Sequence, residues 1–233
     1  MKKNYEMDMC SGPILGKLLT FTIPLIFSGI LQLLFNAADV IVVGRFAGSQ
    51  SLAAVGSTTA LINLMINIFI GLSVGVNVIV ARYYGAKREK DVQDTIHTAM
   101  ALSIVSGLFL IIVGQLLSRP MLELMGTPDD VIDKSTIYMR IIFIGMPANM
   151  IYNFGSAILR AVGDTKRPLY FLTAAGVINV VLNLFFVIMF RMDVAGVSLA
   201  TAISQAISAF LVIRCLMESE GSLKLHLKDL KIH

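Results

Sequence analysis

Gln32, Asn36 and Asp39 fall at i, i+4 and i+7 within the first long apolar stretch, so on a helix they line one face, which Ser28 extends by a further turn. A carboxylate at membrane depth is expensive, about 2.5–3.5 kcal/mol at a helix centre on insertion scales. Such groups generally face a bundle interior or a water-filled cavity and serve an ion or substrate pathway. The alternative is a wet carboxylate near a helix end, since only four apolar residues separate Asp39 from Gly44 and Arg45.

Other apolar stretches carry polar faces too. Asn179 and Asn183 stand at i, i+4; Ser198, Thr201, Gln205 and Ser208 cluster near one face; Asn149, Asn153 and Ser156 follow Pro147 and lead to Arg160; Asn63 and Asn67 share a turn pair. Taken singly, the Asn63/Asn67 and Ser198–Ser208 faces read as interhelical hydrogen bonding, about 1 kcal/mol or less each. Together the groups supply oxygen ligands with no His or Cys among them. That set suits a proton on the carboxylate or a hard cation such as Na⁺, and argues against a transition-metal site. A carboxylate that alternates between a protonated or ion-bound state and a free one couples ion binding to helix rearrangement. Pro24 and Pro147 each remove a backbone hydrogen bond and are hinge candidates. Gly71 and Gly75 form a small-xxx-small face suited to close helix packing.

The elements that must position these residues are membrane spans. Hydrophobic residues make up 56% of the 233 residues, charged residues 15%, and the mean hydropathy is +0.80. Those values predict an all-α membrane protein. Six segments exceed the ~20 residues needed to cross the hydrocarbon: Leu18–Val43, Leu52–Val80, Ile96–Leu117, Ile137–Leu159, Leu169–Phe190 and Val194–Met217. Residues 1–17 then form a cytoplasmic N-terminal segment, 18–217 the six-helix transmembrane unit, and 218–233 a charged tail with leucines at 223, 225, 227 and 230. The tail pattern fits either an amphipathic surface segment or a short extended one. Ser118–Lys134 reads as a longer loop.

Basic residues set the orientation. With the N-terminus cytoplasmic, fourteen of the nineteen Lys and Arg lie inside, and only Arg45, Arg119, Lys134, Arg140 and Arg191 fall elsewhere. An even span count places both termini in the cytoplasm, in a multi-pass protein of the cytoplasmic membrane. Met1–Ser11 is polar and the first apolar run lacks a cleavage site, so that run reads as a retained span. The net charge of +4 is small and dispersed, which argues against a nucleic-acid partner. Cys10 and Cys215 have no metal spacing and read as free thiols, and His97, His226 and His233 as solvated surface residues. No nucleophile elbow, zinc-protease motif or phosphate loop is present, so no enzyme and no cofactor is expected.

Four stretches resemble one family. Asn36-Ala-Ala-Asp39-Val-Ile-Val-Val-Gly44, Ala81-Arg82-Tyr-Tyr-Gly85-Ala-Lys87, Leu159-Arg160-Ala-Val-Gly163-Asp164-Thr-Lys166-Arg167-Pro168 and Gly196-Val-Ser-Leu-Ala-Thr201-Ala-Ile-Ser204-Gln205 are similar, in order, to multidrug and toxic compound extrusion (MATE) transporters. The resemblance covers essentially the whole chain. It implies one six-helix lobe, the N-terminal one, of a two-lobed transporter that exports cationic or amphipathic compounds against H⁺ or Na⁺, with residues 218–233 as the inter-lobe linker. Carried over by motif, the ion-coupling set is Asp39, Asn179, Asn183 and Thr201, and substrate contacts come from Gln32, Asn36 and Asn153. Some relatives have Asp where this chain has Asn183, so Asp39 is the sole carboxylate of the set. The implied partners are the lipid bilayer, small cationic or amphipathic substrates, and a missing C-terminal lobe or a second copy.

Two other readings stay open. A lipid-linked saccharide flippase of the same superfamily would carry more cationic groups in its cavity than this chain does. A non-transporting fragment is the other. The Arg82-x-x-Gly85 and Arg160-x-x-Gly163 stretches also resemble each other, as an internal repeat would, although glycine and cations at a helix end are ordinary capping chemistry.

Overall fold

Where no water competes, backbone amides must bond within their own segment, and each apolar run therefore closes on itself as a helix. The computed structural model describes Gly12, residues 14–226 and Leu230. Its α-helices are α1 (Ile14–Val42), α2 (Ser49–Gly85), α3 (Glu89–Leu124), α4 (Asp129–Ile144), α5 (Met146–Ala161), α6 (Lys166–Leu184) and α7 (Asp193–Glu218). π-Helical turns follow α1 (Val43–Ala47) and α6 (Phe185–Met189), and a short 3₁₀ turn (Gly221–Leu223) follows α7. Lys2, Lys3, Cys10, Leu227, Lys228, Lys231 and His233 lie outside the described residues, as does most of the N-terminal segment.

Five helices are long and apolar enough to cross a membrane alone, and α4 with α5 make a sixth span bent by 47°. The single span expected over Ile137–Leu159 is thus two helices meeting at Gly145. Pro147, the second residue of α5, cannot donate to the chain before it, and a proline is tolerated in a first helical turn. Its backbone also lies against α3, where a Cβ on Gly107 would stand 2.3 Å from Pro147 Cα. α1, by contrast, runs unbroken through Pro24, and Ser28 Oγ donates to the Pro24 carbonyl at 2.9 Å.

The expected loop Ser118–Lys134 is mostly helix. α3 continues through Pro120 to Leu124, and α4 begins at Asp129, with Asp129 and Asp130 in its first turn, where the helix dipole favours acids. Helix ends outside the apolar windows explain the difference, because charged turns continue a helix that hydropathy alone cannot delimit.

α5 is the central element, packed on α2, α3 and α7, and its residues 154–159 are all buried. Phe143, Phe154, Met146, Met150 and Leu159 belong to the main core. A second, smaller core at the end away from the termini joins Val42, Val43, Ala54, Val55, Val131, Val187, Val194 and Val197. α1 packs along α6, while Leu33, Leu34 and many other apolar side chains of the bundle are exposed, as lipid contact requires.

Three expectations are corrected. Gly71 and Gly75 are exposed, with nothing within 4 Å of an added Cβ, so they make no close helix contact in this lobe; Gly107 and Gly114 do, against Pro147 and Phe143. Asn63 and Asn67 are likewise exposed, whereas Asn77, further along α2, does bond across helices, its Nδ2 donating to the Ala157 carbonyl at 2.8 Å. Ser198 and Ser208 bond to carbonyls of their own helix rather than across helices.

His97 is buried, not solvated. Its Nδ1 lies 2.8 Å from the Gln93 carbonyl, which can only accept, so Nδ1 carries the hydrogen and Nε2 is left to accept. The donor is the backbone N–H of His226, at 3.2 Å, and the two rings stack at 6.3 Å. Leu223 and Leu225 are buried in the main core, and Leu225 N–H donates to the Leu216 carbonyl. Residues 221–226 are therefore a 3₁₀ turn and a short extended strap held against α3, with Leu223 and Leu225 turned inward.

The two similar loops close differently. At Gly163 the chain adopts φ +85°, with Asp164 N–H bonded to the Leu159 carbonyl, whereas the left-handed residue after α2 is Lys87 (φ 55°), not Gly85. Their glycines do different work, so the likeness of the two stretches does not extend to how their helices end. Asp164 then accepts from the N–H groups of Lys166 and Arg167 and pairs with the Arg167 guanidinium, capping the start of α6.

Candidate functional site

α6 carries Asn179 and Asn183 one turn apart, both buried, on the face that meets α1 on one side and α7 on the other. α1 comes close because Gly176 has no side chain: a Cβ there would stand 1.9 Å from the Phe35 ring. That approach brings the Asp39 carboxylate to Asn183, whose Nδ2 donates to Asp39 Oδ1. The same Nδ2 lies 3.3 Å from Asn179 Oδ1. Asn179 Nδ2 in turn reaches Thr201 Oγ1 at 3.3 Å and Ser204 Oγ at 3.5 Å on α7.

Besides the bond between them, the two amides of α6 donate to both neighbouring helices. They give hydrogens to the carboxylate of α1 and the hydroxyls of α7. Those hydroxyls give theirs to α7's own backbone, Thr201 to Val197 at 3.0 Å and Ser204 to Thr201 at 2.8 Å. One polar atom is left over: Asn183 Oδ1 is buried and accepts nothing. An orphaned acceptor next to a carboxylate is a position where a proton on Asp39 or a cation finds a ligand. The donor set is entirely oxygen, and among the described residues no group of three or more His, Cys, Asp or Glu gathers.

The four residues of the expected ion-coupling set therefore meet in one network. Ser204 belongs to it as well, and its signal was available as the residue three places beyond Thr201 on the same helix. Tyr138 of α4 lies within electrostatic reach of Asp39 and had no periodic signal to mark it. Gln32 and Asn36 are exposed on α1, and Asn153 is half-buried on α5, donating to Asn149 Oδ1 at 2.9 Å. No hydrogen bond joins these three to the Asp39 network.

Both helices that meet at Asp39 end in π turns directly after their site residues, at Val43 and at Phe185. The two turns touch each other and α7 around the small valine core. π-Helical turns often occur beside functional sites because they re-aim side chains without breaking the helix.

A model of the MatE family matches residues 24–185. The chain is 34% identical over 197 residues to the probable multidrug resistance protein YoeA of Bacillus subtilis, covering 83% of this chain and 42% of that protein. It is 27% identical to the FAD transporter of Shewanella oneidensis, covering 84% and 44%. Among solved structures, MATE in its bent conformation superposes with a TM-score of 0.85 at 25% identity, over 92% of this chain and 48% of that one. The chain thus spans about half the length of the relatives it matches. A helical bundle of six membrane spans with this fold, matched along most of its length, belongs to the MatE family of multi-pass membrane transporters, a family of transporters rather than enzymes.

Proposed function

We propose that this lobe is the N-terminal half of a cation-coupled antiporter that exports small cationic or amphipathic compounds across the cytoplasmic membrane, driven by H⁺ or Na⁺. The observation that supports this most directly is the Asp39–Asn183 contact beside the orphaned Asn183 oxygen. With Asp39 ionised, its bond from Asn183 is charge-assisted and holds α1 to α6. A proton or Na⁺ on Asp39 weakens that bond and supplies the acceptor with a ligand, so occupancy of the site changes how tightly α1 is held. Asn179, Thr201 and Ser204 pass the change on to α7. The exposed Gln32 and Asn36 lie on the same helix, so movement of α1 carries them, and in this reading they meet substrate in the cleft. The opposing wall of that cleft is a C-terminal lobe or a second copy. Both termini lie in the cytoplasm by the distribution of basic residues.

The test is ethidium efflux from proteoliposomes carrying the full-length transporter. Asp39→Asn is expected to abolish cation-driven efflux while leaving expression intact; undiminished cation-driven transport would sink the reading.

A further inference from the structure

At the end of the bundle away from the termini, three helices meet in one charged contact. Lys134, in the second turn of α4, reaches Asp193 Oδ2 at 2.7 Å and donates to Ser51 Oγ at 3.1 Å. Ser51 Oγ donates in turn to Asp193 Oδ1, closing a triangle in which the hydroxyl accepts from the ammonium and gives to the carboxylate. Ser51 is fully buried, and the Lys134 and Asp193 side chains are only about one-third exposed, 33% and 34%. The contact ties the first turns of α2 and α7 to α4.

Asp193 opens α7 with φ 53°, just after Arg191 at φ 52°. That left-handed backbone costs a residue with a Cβ free energy, and asparagine and aspartate bear it better than most. The strained turn stands in sequence between Asn183 and Thr201, the two sides of the proposed site. It is also packed tightly: Met192 N–H donates to the Phe186 carbonyl at 3.1 Å, and a Cβ on Gly196 would stand 3.0 Å from Phe186 Cβ. Downstream, Asn179 reaches Thr201 and Ser204 at 3.3 and 3.5 Å, near the upper limit for a hydrogen bond. A small slide of α7 along its axis breaks both.

We infer that Lys134, Asp193 and Ser51 are positioning residues for the cation site. The triangle holds the strained first turn of α7 in place and so sets the height of Thr201 and Ser204 against Asn179. It touches neither the cation nor the substrate. The inference rests on the proposed cation site.

The experiment measures ethidium efflux by the full-length transporter in proteoliposomes while the driving cation is titrated. Lys134→Met is expected to raise the cation concentration at half-maximal rate about tenfold, within the range by which residues outside a site shift its affinity. The maximal rate at saturating cation stays within about twofold, since the site still forms when driven by mass action. Lys134→Arg restores the wild-type midpoint, which a loss of general packing would not predict. Ser51→Ala keeps the ion pair, removes the bridging hydroxyl, and shifts the midpoint about threefold by the same reasoning; it carries the test if Lys134→Met does not accumulate. An unchanged midpoint, or a lower maximal rate with an unchanged midpoint, overturns the inference. Asp39→Asn separates the two failures. If it keeps wild-type cation dependence, the cation site itself is wrong; if it loses coupling while Lys134→Met and Ser51→Ala behave as wild type, only the positioning role falls.

Discussion

The amide of Asn183 donates to the carboxylate of Asp39 and leaves its own oxygen buried with no hydrogen to accept. The two residues are 144 positions apart, on helices brought together where Phe35 lies over Gly176. Replacing Asn183 by Asp puts a second carboxylate in contact with the first. Two such groups cannot both stay charged without a cation or proton between them, so Asn183→Asp is expected to bind the coupling cation about tenfold more tightly. Cation-dependent thermal stabilisation in detergent measures this, and a response no steeper than wild type counts against the site.

Asn179 links all three helices of the network. Asn179→Ala removes its bonds to Asn183, Thr201 and Ser204 together, at an expected cost of about 1–2 kcal/mol in unfolding free energy. Thr201→Ser keeps the hydroxyl and should cost less than half as much. Thermal unfolding in detergent ranks the two, and the reverse order would show that the hydroxyl of Thr201 is not what Asn179 uses.

Close helix approach depends on particular glycines. Gly107→Ala drives a methyl into the Pro147 backbone, which cannot give way as a flexible side chain would. The expected loss is about 1–3 kcal/mol, the usual cost of overpacking. Gly71→Ala and Gly75→Ala meet open space and should be neutral or stabilising by about 0.5–1 kcal/mol through helix propensity. A melting-temperature series over the three variants checks the contrast.

The strap after α7 depends on His97 as an acceptor. His97→Ala removes the partner of the His226 N–H and is expected to speed tryptic cleavage at Lys224, an exposed residue between two buried leucines. Leu223→Asp should do the same by placing a charge in the core. Equal cleavage rates in wild type and both variants would show that the strap is held by other contacts.

Much of this molecule is legible along the chain, because hydropathy and helical period are local quantities. The six spans, the cost of Asp39 at membrane depth and the i, i+4 pairing of Asn179 with Asn183 follow from residue type and spacing alone. What spacing does not contain is the rotation and height of one helix against another. Gln32, Asn36 and Asp39 share a face of α1, yet only Asp39 meets α6, since the helices converge at Phe35 and Gly176 and the other two polar side chains stay exposed. Ser204 joins the network because α7 sits at the height its first turn imposes. Lys134, Asp193 and His97 lie at or beyond the edges of the apolar windows, where charge reads as solvation. Only the packed bundle turns them inward, by placing a partner 59, 142 or 129 residues away within hydrogen-bond distance.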